Sequence, residues 1–139
     1  MVPVAEQAPL VLLVDDYQDA REMYAEFLKT CGYRVVEAAD GAEALAQAAA
    51  LIPDLILMDF ALPVIDGREA TRRLKANPAT AGIKVAILSG MPPEVVRAAG
   101  ADACVTKPCA PDALLAEIKR LLGDRSRGAT QEDPPTSVA

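Results

Sequence analysis

The stretch Leu10–Asp16, LVLLVDD, decides how the chain folds. Five apolar residues in a row, with no polar alternation, mark a strand covered on both faces, as in a parallel sheet flanked by helices. Two adjacent carboxylates, Asp15 and Asp16, close the run. Surface acids are ordinary, but a buried strand that ends in an acid pair holds two like charges at its tip. What that tip does depends on what the other strands bring beside it.

Four more short apolar runs follow: YRVVEA from Tyr33, LILM at Leu55–Met58, KVAIL from Lys84 and ACVT at Ala103–Thr106. Helical patterns fill the intervals. Ala20, Met23, Tyr24, Phe27, Leu28 and Cys31 recur at the spacing of one helix face, and Gly32 supplies a carboxy-terminal stop. Asp40 precedes Glu43 by three and Asp66 precedes Glu69 by three, so each pair can cap a first turn, while Pro53 and Pro78 punctuate the far ends. A shorter helix is expected at roughly Glu94 to Ala99, and a last one from about Pro111 to Leu122 with Leu114, Leu115, Ile118, Leu121 and Leu122 facing inward. Five strands alternating with five helices imply right-handed crossovers and a doubly wound parallel sheet. The expected domain spans 10–122, with an amino-terminal extension over 1–9 and a polar, disordered tail over 123–139.

Composition narrows the chemistry. A chain of 139 residues suits one domain, and a hydrophobic share of 52% against 24% charged is a globular balance. No apolar run is long enough to span a bilayer and no basic, cleavable leader is evident, so a soluble, cytoplasmic protein is expected. The net charge of -6, with no dense Lys/Arg cluster, argues against direct nucleic-acid binding. Three cysteines without CxxC spacing, Cys31, Cys104 and Cys109, read as buried small hydrophobes. The absence of histidine removes Ser-His-Asp and Cys-His nucleophile systems and any phosphohistidine carrier role. Carboxylates, hydroxyls or lysine must do the work.

In an open parallel sheet, function gathers beyond the carboxyl ends of the strands. Asp15 and Asp16 follow the first strand, Asp59 ends the third, Ser89 ends the fourth in AILSG and Lys107 follows the fifth in CVTKP. Three crowded carboxylates repel, and an oxygen-seeking divalent cation relieves the repulsion, with Mg²⁺ suited to a few carboxylates plus water and phosphate oxygens. With Asp16 and Asp59 on the ion, a free Asp59 oxygen becomes a candidate nucleophile toward phosphorus, and Ser89 and Lys107 become candidates to bind the phosphoryl oxygens.

VDD, LMDFALPVIDG, LSG and TKP, in this order and spacing, resemble the response-regulator receiver domain of two-component signalling, over roughly Leu10 to Leu122. The resemblance implies a flavodoxin-like sheet of order 2-1-3-4-5. It also implies a phosphoacceptor at Asp59 and Mg²⁺ on Asp15, Asp16, Asp59 and the backbone carbonyl of Ala61. Ser89 and Lys107 would contact the phosphoryl group, with Pro63, Asp66, Gly67, Gly90 and Pro108 shaping the site and Pro108 a candidate to follow a cis bond. Phosphohistidine in a histidine kinase or phosphotransfer protein would be the donor, a separate protein the downstream partner, and the chain a monomer or weak dimer. Two departures stand out. Cys104 occupies the place of the family's aromatic switch residue, and Ser89–Lys107 is shorter than is common there by about one helical turn. An aspartyl-phosphate-type hydrolase is an alternative, but such enzymes carry a second acid two residues after the nucleophile, where Ala61 stands. A degenerate receiver that binds partners without phosphorylation is another, against which the intact acids and lysine argue.

Overall fold

The structure, a computed structural model, describes residues 8–127 apart from Ala98 and Pro108, with backbone alone for 124–127. The expectations for 1–7, 128–139 and Pro108 fall outside the described residues.

Five strands, β1 (Leu10–Val14), β2 (Arg34–Ala38), β3 (Leu55–Asp59), β4 (Lys84–Ser89) and β5 (Ala103–Thr106), alternate with five helices. The helices are α1 (Gln18–Thr30), α2 (Gly41–Leu51), α3 (Gly67–Ala76), α4 (Pro93–Arg97) and α5 (Pro111–Arg127). The strands form one parallel sheet in the order β2-β1-β3-β4-β5. Side-chain alternation on the inner strands feeds two cores. Val11, Leu13, Leu55, Leu57, Ala86 and Leu88 pack with Ala25 and Leu28 of α1 and Leu114, Ile118 and Leu122 of α5. Leu12, Val14, Ile56, Met58, Val85 and Ile87 pack on the other face with Ala44 and Ala48 of α2, Ala70 and Leu74 of α3 and Val96 of α4. A continuous apolar strand is therefore amphipathic toward neither side, which is why its sequence lacks a period of two.

Local signals account for the helix ends. The Asp40 carboxylate accepts from the Glu43 N–H at 2.8 Å and Glu43 accepts in return from the Ala39 N–H at 2.7 Å. Asp66 accepts from the Glu69 N–H at 2.8 Å, but Glu69 turns outward to Arg72 and Arg73 instead of reaching back. At the end of α1, Gly32 (φ 100°) lets the Tyr33 N–H reach the Leu28 carbonyl and its own N–H reach that of Lys29, closing the helix with paired backbone bonds.

Three expectations are revised. The buried stripe of α1 is rotated: Ala25 and Leu28 are fully buried, Tyr24 and Phe27 partly, while Met23 and Cys31 face solvent. Cys104 and Cys109 are half-buried, so none of the three free thiols is a core residue. A helix carries its inner stripe across three or four positions per two turns, and Ala25 has the small side chain that closest approach to the sheet requires. Finally, α5 does not stop at Leu122: Gly123 (φ 26°, ψ -104°) breaks helical geometry and helical backbone then continues to Arg127. The fourth helix is a short one, five residues at Pro93–Arg97.

Candidate functional site

The ends of β1, β3 and β5 are each pinned by a ladder bond that extends the sheet one step. The Asp15 N–H donates to the Ala38 carbonyl at 3.1 Å, the Phe60 N–H to Leu88 at 2.9 Å and the Lys107 N–H to Ser89 at 3.0 Å. The side chains that follow are thereby delivered to one edge. Asp15, Asp16 and Asp59 each offer a carboxylate oxygen within 4.8 Å of the others, Asp15 and Asp59 buried and Asp16 exposed. The Lys107 Nζ donates to Asp59 Oδ1 at 2.9 Å. Ser89 is buried, and its Oγ accepts the Met91 N–H at 2.8 Å, which folds the loop after β4 back over the strand end.

The charges are unbalanced. Burial pushes the Asp15 carboxyl above its ordinary value; the Tyr17 N–H on Oδ1, at 2.9 Å, works against that, and the nearby Asp59 and Asp16 charges add to it. Burial would lower the Lys107 ammonium, but its hydrogen bond to Asp59 and the charges of Asp59 and Asp15 outweigh burial and raise it. One ammonium thus faces three carboxylates. The donor set is all oxygen, two members are held by buried strand ends, and the net charge is negative; that set fits a small hard dication and suits neither a soft nor an imidazole-seeking metal.

Gly67 is buried at the start of α3, where a Cβ would collide with the Asp59 carbonyl oxygen, and its N–H donates to the Phe60 carbonyl at 2.9 Å. Asp66 caps that helix. Ala61 and Pro63 lie exposed in the loop after β3, and Gly90 lies exposed after Ser89. Between Pro63 and Ile65 the chain makes a three-residue turn closed by the Ile65 N–H on the Pro63 carbonyl at 2.8 Å, with Val64 at φ 71°. Cys104 pairs with Ile87 in the sheet and packs against the core on the α4 face.

Two functional neighbours were not legible in the sequence. Arg21 donates from Nη1 to the Asp15 carbonyl at 2.8 Å and from Nε to Glu37 Oε1 at 3.0 Å. The Tyr24 hydroxyl, read from spacing as core packing alone, donates to the Cys109 carbonyl at 2.9 Å. No local pattern announces either contact, because the partners are brought in by β2 and by the loop after β5.

The comparisons with known proteins agree with this geometry. Residues 11–119 match the family model of the response regulator receiver domain. The chain is 36% identical over 132 residues to the phosphate regulon transcriptional regulatory protein PhoB of Pseudomonas aeruginosa, covering 92% of this chain and 57% of that protein. It therefore spans little more than half of that relative. With the polar-differentiation response regulator DivK of Brucella anthropi it is 31% identical, over 82% of this chain and 96% of the other. Among solved structures, the chemotaxis response regulator CheY4 of Vibrio cholerae superposes with a TM-score of 0.78 at 34% identity, covering 83% of this chain and 99% of that one. The receiver domain of a sensor histidine kinase from Pseudomonas aeruginosa, solved with a magnesium ion coordinated in its active site cleft, also gives 0.78, at 30% identity over 84% and 99%. Among the described residues no helix is long and apolar enough to cross a membrane. Acid trio, lysine, sheet order and matched residues together make the conclusion direct: the chain belongs to the response regulator receiver domain family, the signalling modules of two-component systems.

Proposed function

We propose that this chain is a phosphoacceptor that takes a phosphoryl group onto Asp59 from a phosphohistidine of a sensor kinase or phosphotransfer protein. The observation that supports it most is the Lys107 ammonium 2.9 Å from Asp59 Oδ1 while Asp15 and Asp16 lie within 4.8 Å of the same carboxylate. Asp15, Asp16, Asp59 and the Ala61 carbonyl would hold Mg²⁺, which supplies charge neutralisation for the phosphoryl oxygens. A free Asp59 oxygen attacks phosphorus, the P–N bond to the donor imidazole breaks, and the imidazole leaves with that electron pair. Lys107 then turns its ammonium from the carboxylate to a phosphoryl oxygen, and the Ser89 hydroxyl donates to another. The compartment proposed is the cytoplasm, as the sequence reading expects.

The phosphorylated chain would signal by altered binding to a separate protein, or pass phosphate along a relay. A turnover hydrolase is disfavoured by Ala61, which provides no acid two residues past Asp59. Incubation with phosphoramidate or acetyl phosphate and Mg²⁺, followed by intact mass, tests the proposal. One added phosphoryl group, released by hydroxylamine, is expected on the wild type and none on Asp59→Asn; equal labelling of both would refute the assignment.

A further inference from the structure

Arg21 and Tyr24 lie three residues apart on α1 and so share one helix face. They reach opposite parts of the site. Arg21, with its side chain 15% exposed, bridges the Asp15 carbonyl and the Glu37 carboxylate. Asp15 consequently has every polar group of its backbone engaged, N–H to Ala38 and carbonyl to Arg21, and its Oδ1 is taken by the Tyr17 N–H. Glu37 neutralises the guanidinium, so a cation-holding loop is fixed by an arginine without a net positive charge placed beside it. Tyr24, 85 residues away in sequence, holds the carbonyl of Cys109, two positions past Lys107. The Lys107 backbone is held on the near side by its N–H on Ser89, and Tyr24 supplies the anchor on the far side. The Lys107 side chain is 40% exposed, so its aim at Asp59 rests on where its backbone is fixed.

We infer that α1 sets the spacing of the site, with Arg21 positioning the acid loop that carries Asp15 and Asp16 and Tyr24 positioning the loop that carries Lys107. This rests on the phosphoacceptor function proposed above. Because the two residues act on different parts, their losses separate. Arg21→Lys keeps the charge but gives up the planar fork that spans two acceptors. Tyr24→Phe keeps the ring and removes one O–H···O bond.

The test measures Mg²⁺ affinity by amide shift titration and the rate of phosphorylation by phosphoramidate at saturating Mg²⁺, with thermal melts to confirm folding. Loss of one hydrogen bond of ordinary net worth corresponds to about threefold to tenfold. Arg21→Lys is expected to weaken Mg²⁺ by about that factor, with the saturated rate within about twofold of wild type. Tyr24→Phe is expected to slow the saturated rate by about that factor and leave the Mg²⁺ affinity within about twofold. Loss of both parameters together in either variant would mean general loosening of the fold and would overturn the inference, as would no change in either. A wild type that takes no phosphoryl group overturns the proposed function and this inference with it. A labelled wild type with indistinguishable variants overturns this inference alone.

Discussion

Removing one of the three acids should stabilise the metal-free protein, and Asp16 is the place to do it, because it is exposed and carries no burial of its own. Its carboxylate lies within 4.8 Å of both Asp15 and Asp59. A pair of unit charges at that distance repels by about 0.9 kcal/mol at the dielectric of water and about 3.5 kcal/mol at an effective value of 20. An exposed member sits near the lower figure, so two pairs contribute at most roughly 2 kcal/mol, of which screening by solvent and ions at an exposed site leaves about half. A net gain of about 1 kcal/mol for Asp16→Asn should raise the melting temperature by roughly 3 to 5 °C for a domain of this size. Calorimetry in chelator at low salt measures it, and added KCl should shrink the gain.

Mg²⁺ should then reverse the order. At a hundred times its dissociation constant an ion stabilises the wild type by about 2.7 kcal/mol, whereas a variant that binds a hundredfold more weakly gains only about 0.4 kcal/mol. The difference of about 2.3 kcal/mol exceeds the 1 kcal/mol of charge relief, so the wild type melts higher with Mg²⁺ and lower without. Asp16→Asn melting below wild type in chelator would refute the crowding argument. An order unchanged by Mg²⁺ would refute the assignment of Asp16 to the ion.

Other expectations follow from single contacts. The Asp15 carboxyl is raised, so its folded form prefers the proton; metal-free stability should rise as pH falls from neutral through that raised value toward about 3.9, and Asp15→Asn should flatten the rise in pH-dependent urea melts. Gly67→Ala drives a Cβ into the Asp59 carbonyl, which is backbone and cannot step aside; a loss of about 1–3 kcal/mol by urea denaturation is expected, with slower phosphorylation, and a neutral effect would refute the close approach. Val64 is β-branched at φ 71° yet 79% exposed, so Val64→Gly relieves strain at little packing cost and should stabilise by about 0.5–1 kcal/mol in the same assay. In a beryllofluoride-bound state, Ser89 turning toward the phosphate mimic frees the Met91 N–H, so amide exchange should rise at Met91, Glu94 and Val95 with little change at Ala103–Thr106; a response centred on Cys104 would refute it.

Much of the sheet was legible because burial on both faces leaves a direct mark: LVLLV, LILM and the apolar part of KVAILS have no alternation to misread. The acids and the lysine were legible for a related reason. Charge at the end of a fully apolar strand is conspicuous, and parallel strands all present their carboxyl ends to one edge, so Asp15, Asp16, Asp59, Ser89 and Lys107 could be brought together before any distance was known. Where periodicity was the only guide the result was poorer. On α1 the expected stripe holds at Tyr24, Phe27 and Leu28, but Met23 and Cys31 fit it as well as Ala25 does, and only the helix's rotation against Val11, Leu13 and Leu55 decides that Ala25 is the one buried.

The side-chain contacts that join elements distant in sequence are of another kind. Arg21 with Glu37, Tyr24 with Cys109 and Lys75 with Asp102 join residues 16, 85 and 27 positions apart. Lys75 shows why no sequence pattern marks them. Its ammonium bonds the Ala81 and Ile83 carbonyls as well as Asp102, and Asp102 also accepts the Val85 N–H at 2.8 Å. One lysine thereby ties α3 to the loop before β4 and to the turn before β5, yet a lysine near a helix end is the most ordinary residue one can meet there. Burial of the Asp102 carboxyl acts to raise it, but the Lys75 and Val85 bonds outweigh burial and lower it. Its contribution is therefore kept above about 3.9 and lost only as pH falls through the lowered value, the reverse of Asp15. The two aspartates differ in what the fold brings to them: each receives a backbone N–H, but Asp102 also bonds a cation, whereas Asp15 is buried beside two further carboxylates. A carboxylate whose surroundings favour its charge serves to fasten elements together, and one whose surroundings oppose its charge stores repulsion that a bound cation can release.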